Sequence, residues 1–212
     1  MSDAQPSAAA RDIGAMEPGH YGTAGTRVVL GRATTTRACN VQGNPARSTL
    51  VADVERIFGV TLPLTPNMSS VAEGWLALWL GPRSWLLLER AGAATPSMAV
   101  DFDAARDVLD AGGGALFDVS AARVAFTLRG DGAATVLASG CPLDLDVRAF
   151  HAGHCAQSVF GHVNVLLYRH PQSGAFTVWV ATSLAADLWH ALCVAAAEGG
   201  YDVAAGPAFA SA

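Results

Sequence analysis

The chain has 212 residues, 15% of them charged and 51% hydrophobic, with a formal net charge of −5. All 13 basic residues are arginine, which excludes a Schiff-base lysine, a Walker-A lysine and a lysine general base. The acidic balance and the scattered arginines also exclude a basic groove for nucleic acid.

The length suits one domain or two small subdomains with a sizeable core. The charged fraction lies well below the roughly 25% of ordinary soluble domains. Two readings of this stand side by side. One is an alanine-rich globular protein; the other is a chain that covers part of its apolar surface with a permanent partner. Cys39, Cys141, Cys155 and Cys193 form no CxxC pair, and the N-terminus "MSDAQPSAAARDIGAMEPGHYG" has no apolar signal core. Free thiols in a reducing cytoplasm are the economical expectation. The apolar runs "WLALWL" and "ALCVAAA" are too short to cross a bilayer, so no membrane partner is expected.

In chain order, residues 1–25 are small, polar and broken by Gly and Pro, and read as a flexible arm. "TRVVLGRATTTRACNVQG" mixes β-branched residues with alternation and predicts extended structure. Pro45 fits a first helical turn, Leu50, Val51, Val54, Ile57 and Phe58 follow at helical spacing, and Gly59 ends the helix. "VTLPLTPN" leads out to "GWLALWLGPRSWLLLER", a hairpin turning at Gly81-Pro82-Arg83. "DFDAARDVLDAGGG" is a helix with acids in its first turn, where the dipole favours them, and glycines at its end.

The same order then returns. "ARVAFTLRG" predicts a half-buried strand, "AATVLASG" a short helix, and "CPLDLDV" a lead-out like "VTLPLTP". "HVNVLLYRHPQSGAFTVWV" is a second hairpin, and "SLAADLWHALCVAAAEGG" a final helix with Leu184, Leu188, Leu192 and Ala195 on one face. Landmarks repeat at nearly constant offset: Gly43 with Gly130, Trp75 with Val163, Trp85 with Phe176, and Phe117-Asp118-Val119 with Tyr201-Asp202-Val203. The expected fold is α+β, two similar β-α-β-β-α halves at 26–114 and 115–203, with a C-terminal tail at 204–212. Each sheet buries one face under its helices and needs cover for the other.

Several residues are candidates for chemistry. Cys141 sits between Gly and Pro, but it follows a helix C-terminus, where the dipole opposes a thiolate; it reads as a nucleophile or as a small buried hydrophobe. His151, His154 and Cys155, with Cys141 and His162 nearby, could ligate zinc, although the spacing matches no standard pairing. Asp144 and Asp146 would share a side of an extended segment, as an acid–base pair or as solvated turn acids. Gly112-Gly113-Gly114 lacks the register of a phosphate cradle and reads as a helix stop. Ser120 and Ser183 have neither a nucleophile elbow nor a partner histidine at recognisable spacing.

"LWLGPRSWLLL", "LFDVSAARVAFTLRG", "GCPLDLDVRAFHAGHCAQSVFGHVNVLLYR" and "LAADLWHAL" together resemble the gamma subunit family of heterotetrameric sarcosine oxidase, in order from about Thr26 to Val203. "GCPLDL" followed by "GHCAQ" is the specific element. More distantly, "FDVSAARVAFTLRGDGAATVL" is similar to glycine-cleavage aminomethyltransferases and related folate-binding domains, which are also built of two like halves. In that wider family an Asn-Asp pair works at the folate-bound carbon; here the corresponding residues are Leu143-Asp144. "FGHVNVLLY" stands where that family has two further acids, and these departures argue against folate chemistry by this chain. The resemblance implies a subunit of an oxidoreductase complex with no catalytic, cofactor-binding or metal residues of its own. FAD, FMN, NAD, tetrahydrofolate and zinc would belong to partner alpha, beta and delta subunits. The alternative is a free-standing folate-binding or aminomethyl-transfer protein that uses Asp144.

Overall fold

The computed structural model describes residues 17–23, 25, 28–34, 37–46, 49–90 and 100–207. Among the described residues twelve strands and four α-helices follow in order: β1 Gly19–Tyr21, β2 Val28–Ala33, β3 Ala38–Gly43, α1 Leu50–Phe58, β4 Ser69–Val71, β5 Trp75–Gly81, β6 Ser84–Glu89 and α2 Phe102–Ala111. Then come β7 Gly114–Asp118, β8 Arg123–Arg129, α3 Ala133–Ala138, β9 Cys155–Phe160, β10 Val163–Arg169, β11 Phe176–Ala181, α4 Ala185–Ala197 and β12 Tyr201–Pro207. A 3₁₀ turn, Thr182–Leu184, leads into α4.

Period-two alternation sorts the side chains of each strand between two faces. In β8, Val124, Phe126 and Leu128 join the core beneath α3 and α4, while Ala125 joins a different core. In β6, Trp85 and Leu87 pack under α1 and α2, while Leu86 and Leu88 share that second core with Ala125. Helices cover one face of each sheet, and the two sheets cover each other's remaining faces, giving four layers. The inter-sheet layer combines the small Ala38 and Ala125 with the larger Leu78, Leu86, Tyr168 and Trp179.

The sheet orders are β1-β12-β2-β8-β11-β10-β9 and β4-β5-β6-β3-β7. They do not follow a division at residue 114 strand for strand. β2, from the first half, pairs antiparallel with β8 of the second; β7, which opens the second half, pairs antiparallel with β3 of the first. The leading strands are therefore exchanged. Neither sheet closes its helix-side core without the other half: Leu30 of β2 is buried beneath α3 and α4, and Leu116 of β7 beneath α1 and α2.

This exchange revises one sequence correspondence. β7 does not match β12, despite the Phe-Asp-Val and Tyr-Asp-Val echo; its counterpart by pairing is β2, and β12 is an added strand parallel to β2. Trp85 lies opposite Val41 and Phe176 opposite Leu128, each partner two residues before its landmark glycine, Gly43 or Gly130, so the pairing of β3 and β8 keeps Trp85 with Phe176. Short strands β4 and β9 also precede the hairpins, in segments expected only as lead-outs or loops.

The helices end where local chemistry dictates. Gly59 caps α1 in the left-handed conformation at φ 67°, and its N–H donates to the Glu55 carbonyl. Asp101 caps α2 by accepting from the N–H groups of Asp103 and Ala104, and Gly112 ends it. α1 starts at Leu50, well after Pro45. Part of the expected flexible arm is ordered: β1 pairs with β12, Tyr21 stacks on Tyr201 at 5.4 Å, and Thr23 N–H donates to the Ala197 carbonyl. Likewise β12 carries the expected tail to Pro207 as strand. Residues 1–16 and 208–212 lie outside the described residues.

Because the halves exchange strands, the chain should unfold as one unit. Leu30→Ala is expected to cost about 2–5 kcal/mol and to lower a single urea midpoint, with circular dichroism and tryptophan fluorescence superimposed. Two resolved transitions would contradict the exchange as the source of cooperativity.

Candidate functional site

The nominated residues concentrate between α3 and β9. Gly140 is required by close approach: a Cβ there would sit 2.8 Å from the Phe160 ring. Cys141 follows, buried, with its N–H on the Leu137 carbonyl at 2.9 Å and its sulfur 3.4 Å from Ser158 Oγ. The Gly-Cys-Pro stretch is thus a packing corner that closes α3 over β9.

Beyond it the chain turns instead of running extended, so Asp144 and Asp146 do not form a facing pair. Asp144 Oδ1 accepts the Asp146 N–H at 3.0 Å, and Asp146 Oδ1 accepts the Arg148 N–H and Nε, both at 2.9 Å. Both carboxylates are exposed. The Arg148 guanidinium holds the Asp146 carboxyl below the usual carboxylate range. Leu145 and Phe150 are the buried anchors of this loop. Arg169 clamps it from β10, donating from Nη1 to the Phe150 carbonyl at 3.0 Å while its guanidinium lies 5.2 Å from the centre of the Phe176 ring.

The three metal candidates diverge. His151 Nδ1 lies 2.8 Å from the Val147 carbonyl, and its ring packs edge-on against His154 at 4.9 Å. Cys155 points the other way, between the sheets, where its thiol donates to the carbonyls of Met68 at 3.3 Å and Trp79 at 3.5 Å. His162 sits in the exposed turn between β9 and β10. Among the described residues no three His, Cys, Asp or Glu side chains converge as a metal set.

Ser120 is a rivet between the halves: its Oγ accepts the Ala38 N–H at 3.0 Å and lies 3.3 Å from the Ala38 carbonyl. Ser183 is exposed in the 3₁₀ turn. Gly112 and Gly113 end α2, and Gly114 opens β7. Burial disfavours the thiolate at three of the four cysteines. Burial pushes Cys39 up to about 12 and Cys155 up to about 11, and raises Cys193 as well.

A polar cluster between the sheets carries what sequence reading missed. Thr127 and Thr177 are cross-strand partners on β8 and β11 and both are buried. His170 Nε2 shares a hydrogen bond of 2.7 Å with Thr177 Oγ1, and the His170 ring packs on Tyr168 at 4.7 Å. Burial, reinforced by Arg90, lowers His170 to about 4, and burial raises the Tyr168 phenol. Near neutral pH the cluster is therefore a neutral imidazole and a neutral phenol beside a guanidinium, which Ala72 engages through its carbonyl at 2.7 Å. Such a set joins strands and offers no strong base. Thr127 Oγ1 and the Trp179 indole N–H are buried without a hydrogen-bond partner among the described residues. The alternation of "AFTLR" and "FTVWV" signals these threonines, since they face away from the apolar stripe of their own strands.

Two of the open clefts on the surface are lined by described residues. One, of about 1070 Å³, is lined by Val28, Asp131, Thr135, Glu198 and neighbouring glycines. The other, of about 440 Å³, runs along β7 beside Arg106 and Asp110 of α2. Neither contains Cys141, Asp144, His151, His154 or Cys155.

Two outcomes follow from these environments. In the native chain Cys39 and Cys155 should react with an aromatic disulfide reagent far more slowly than Cys193, and all should react fully after denaturation. His170 titrates near 6.5 when unfolded and near 4 when folded. Between those values the unfolded chain binds a proton that the folded chain refuses, so stability falls as pH falls through that window. His170→Gln, which keeps a donor for Thr177, should flatten that slope in urea melts. A slope identical to wild type would assign it to other groups.

A family model described as "Sarcosine oxidase, gamma subunit family" matches residues 42–198. The sarcosine oxidase subunit gamma of Corynebacterium sp. (strain U-96) is 33% identical over 112 residues, 52% of each chain. That of Corynebacterium sp. (strain P-1) is 36% identical over 97 residues, 46% of this chain and 45% of its own. The chain thus spans about half the length of the curated relatives it matches. Among solved structures, a chain of the heterotetrameric sarcosine oxidase from Corynebacterium sp. U-96, in complex with pyrrole 2-carboxylate, superposes with a TM-score of 0.72 at 27% identity. That match covers 84% of this chain and 88% of the other. The glycine cleavage system aminomethyltransferase T from Bartonella henselae matches with a TM-score of 0.55 at 15% identity, over 79% of this chain and 46% of its own, a likeness of fold alone. With the model match covering most of the folded region, the chain belongs to the sarcosine oxidase, gamma subunit family.

Proposed function

We propose that this chain is a non-catalytic gamma subunit of a heterotetrameric sarcosine oxidase-type complex, bracing the large folate- and flavin-binding subunit. The complex would oxidatively demethylate sarcosine or a related N-methyl amino acid. The observation that carries this reading is the family match over residues 42–198. The internal chemistry supports it: Cys141, Cys155 and Ser120 are engaged in packing and strand-to-strand hydrogen bonds, and Asp144 in a turn.

Oxidation of an N-methyl amine moves a hydride from the methyl carbon to a flavin and leaves a one-carbon unit for a folate carrier. In this reading the FAD, FMN, NAD, tetrahydrofolate and zinc of the complex reside in the alpha, beta and delta subunits. This chain's two halves, 26–114 and 115–203, act as one rigid block beside them. The four free thiols suit a reducing compartment, and we assign the complex to the cytoplasm. Among the described residues no helix is long and apolar enough to cross a membrane.

The test is co-expression of the tagged chain with the genes that neighbour its own. Larger chains in fixed stoichiometry, a flavin absorbance spectrum and sarcosine turnover are expected. Asp144→Ala should leave that turnover within about twofold, a change under 0.5 kcal/mol. A colourless chain that purifies alone and binds tetrahydrofolate through Asp144 would instead make it a free-standing folate protein.

A further inference from the structure

The two exchanged strands are equivalent in pairing but not in cover. β2 lies against β8 as β7 lies against β3, so Leu30 corresponds to Leu116 and Gly31 to Phe117. On its other edge β2 is covered by β12, running parallel, with Tyr201 opposite Val28 and Val203 opposite Leu30. Tyr201 and Val203 complete the core beneath α4. Among the described residues β7 is the last strand of its sheet.

The backbone of β7 is poised for the same cover. Val119 N–H donates to the Ala38 carbonyl, so residues of odd number in this strand face β3. Gly114, Leu116 and Asp118 therefore direct their N–H and C=O groups to the open edge. The Leu116 carbonyl meets Arg106 Nε at 3.4 Å, longer than an ordinary hydrogen bond. Phe117 is 50% exposed, and the 440 Å³ groove lies between this edge and α2. An open strand edge with an exposed aromatic is a template for another strand, which folded proteins ordinarily blunt or cover.

We infer that the open edge of β7, together with the groove beside Arg106 and Asp110, receives an extended segment of a partner subunit, added parallel to β7 as β12 is added to β2. The inference rests on the subunit reading above. β12 sets the occupant's chemistry: apolar side chains at alternate positions, seated in the groove against α2 as Tyr201 and Val203 are seated against α4. Main-chain hydrogen bonds supply the affinity, and the groove supplies the side-chain preference.

The experiment compares amide hydrogen exchange of the full chain alone and in the co-purified complex. The amides of Leu116 and Asp118 should exchange at least about 100-fold more slowly in the complex. Phe117→Asp should reduce incorporation into the complex at least about tenfold, whereas Val194→Asp, at an exposed site on α4, should leave it intact. Equal exchange rates in both states, with Phe117→Asp incorporated as wild type, would overturn the edge assignment while leaving the subunit reading standing. Protection of those amides in the isolated chain, with a concentration-dependent dimer by sedimentation, would give the edge to a second copy and overturn the partner segment. A wild-type chain that co-purifies with no other protein would overturn the subunit reading, and this inference with it.

Discussion

The exchange of leading strands between the two halves is the constraint on which the rest of the structure depends. Each sheet takes one strand from the other half, and that strand brings a leucine which finishes a core it does not belong to by sequence: Leu30 in one, Leu116 in the other. The cost of ordering either half alone would not be met by its own apolar surface, because the missing strand leaves one side of its core open. The seam also collects polar groups that need partners. Ser120 bonds Ala38, Cys155 bonds Met68 and Trp79, and Gln157 bonds the Leu80 carbonyl at 2.8 Å, each a contact between halves. Residue types with catalytic potential are in this way recruited to hold the halves together.

The same seam governs electrostatics. Burial in the inter-sheet layer, reinforced by Arg90, holds His170 neutral where it meets Thr177 and Tyr168. Arg90 stands beside it with its charge answered by carbonyl oxygens of the β4–β5 connection. Exposed carboxylates occur outside this layer, in turns such as 144–148, where water and neighbouring N–H groups solvate them. A fold shared with an aminomethyltransferase therefore carries a different distribution of chemistry in this chain, and fold alone assigns no reaction.

Departures from the repeat are as informative as the repeat. β12 and β1 extend only the seven-stranded sheet, and the N-terminal stretch is drawn onto the C-terminal end of α4 by Thr23. Gly22 and Gly200 permit that approach: a Cβ on either would lie within 2.4 Å of a facing carbonyl oxygen. Among the described residues the five-stranded sheet has no such extension, and its β7 edge coincides with an exposed phenylalanine and a groove.

Much was legible in the sequence because it depends on local periodicity. The helix ends at Gly59 and Gly112, both hairpins and the duplication follow from backbone preference and from alternation of apolar residues, which act over a few residues. "GCPLDL" and "GHCAQ" were enough to indicate the family, since such short stretches record a particular corner of a particular fold. Pairing between distant strands was not legible. β2 and β7 look like ordinary first strands, and nothing in "VVLGRA" or "GALFD" says which sheet will take them. The echo of β7 in β12 pointed to the wrong counterpart, and the spacing of His151, His154 and Cys155 suggested a convergence that β9 forbids by sending successive side chains to opposite faces. Element identity is decided by neighbours in the chain; strand order, and with it the partners of every buried polar group, is decided by which arrangement buries the most apolar surface across the whole molecule.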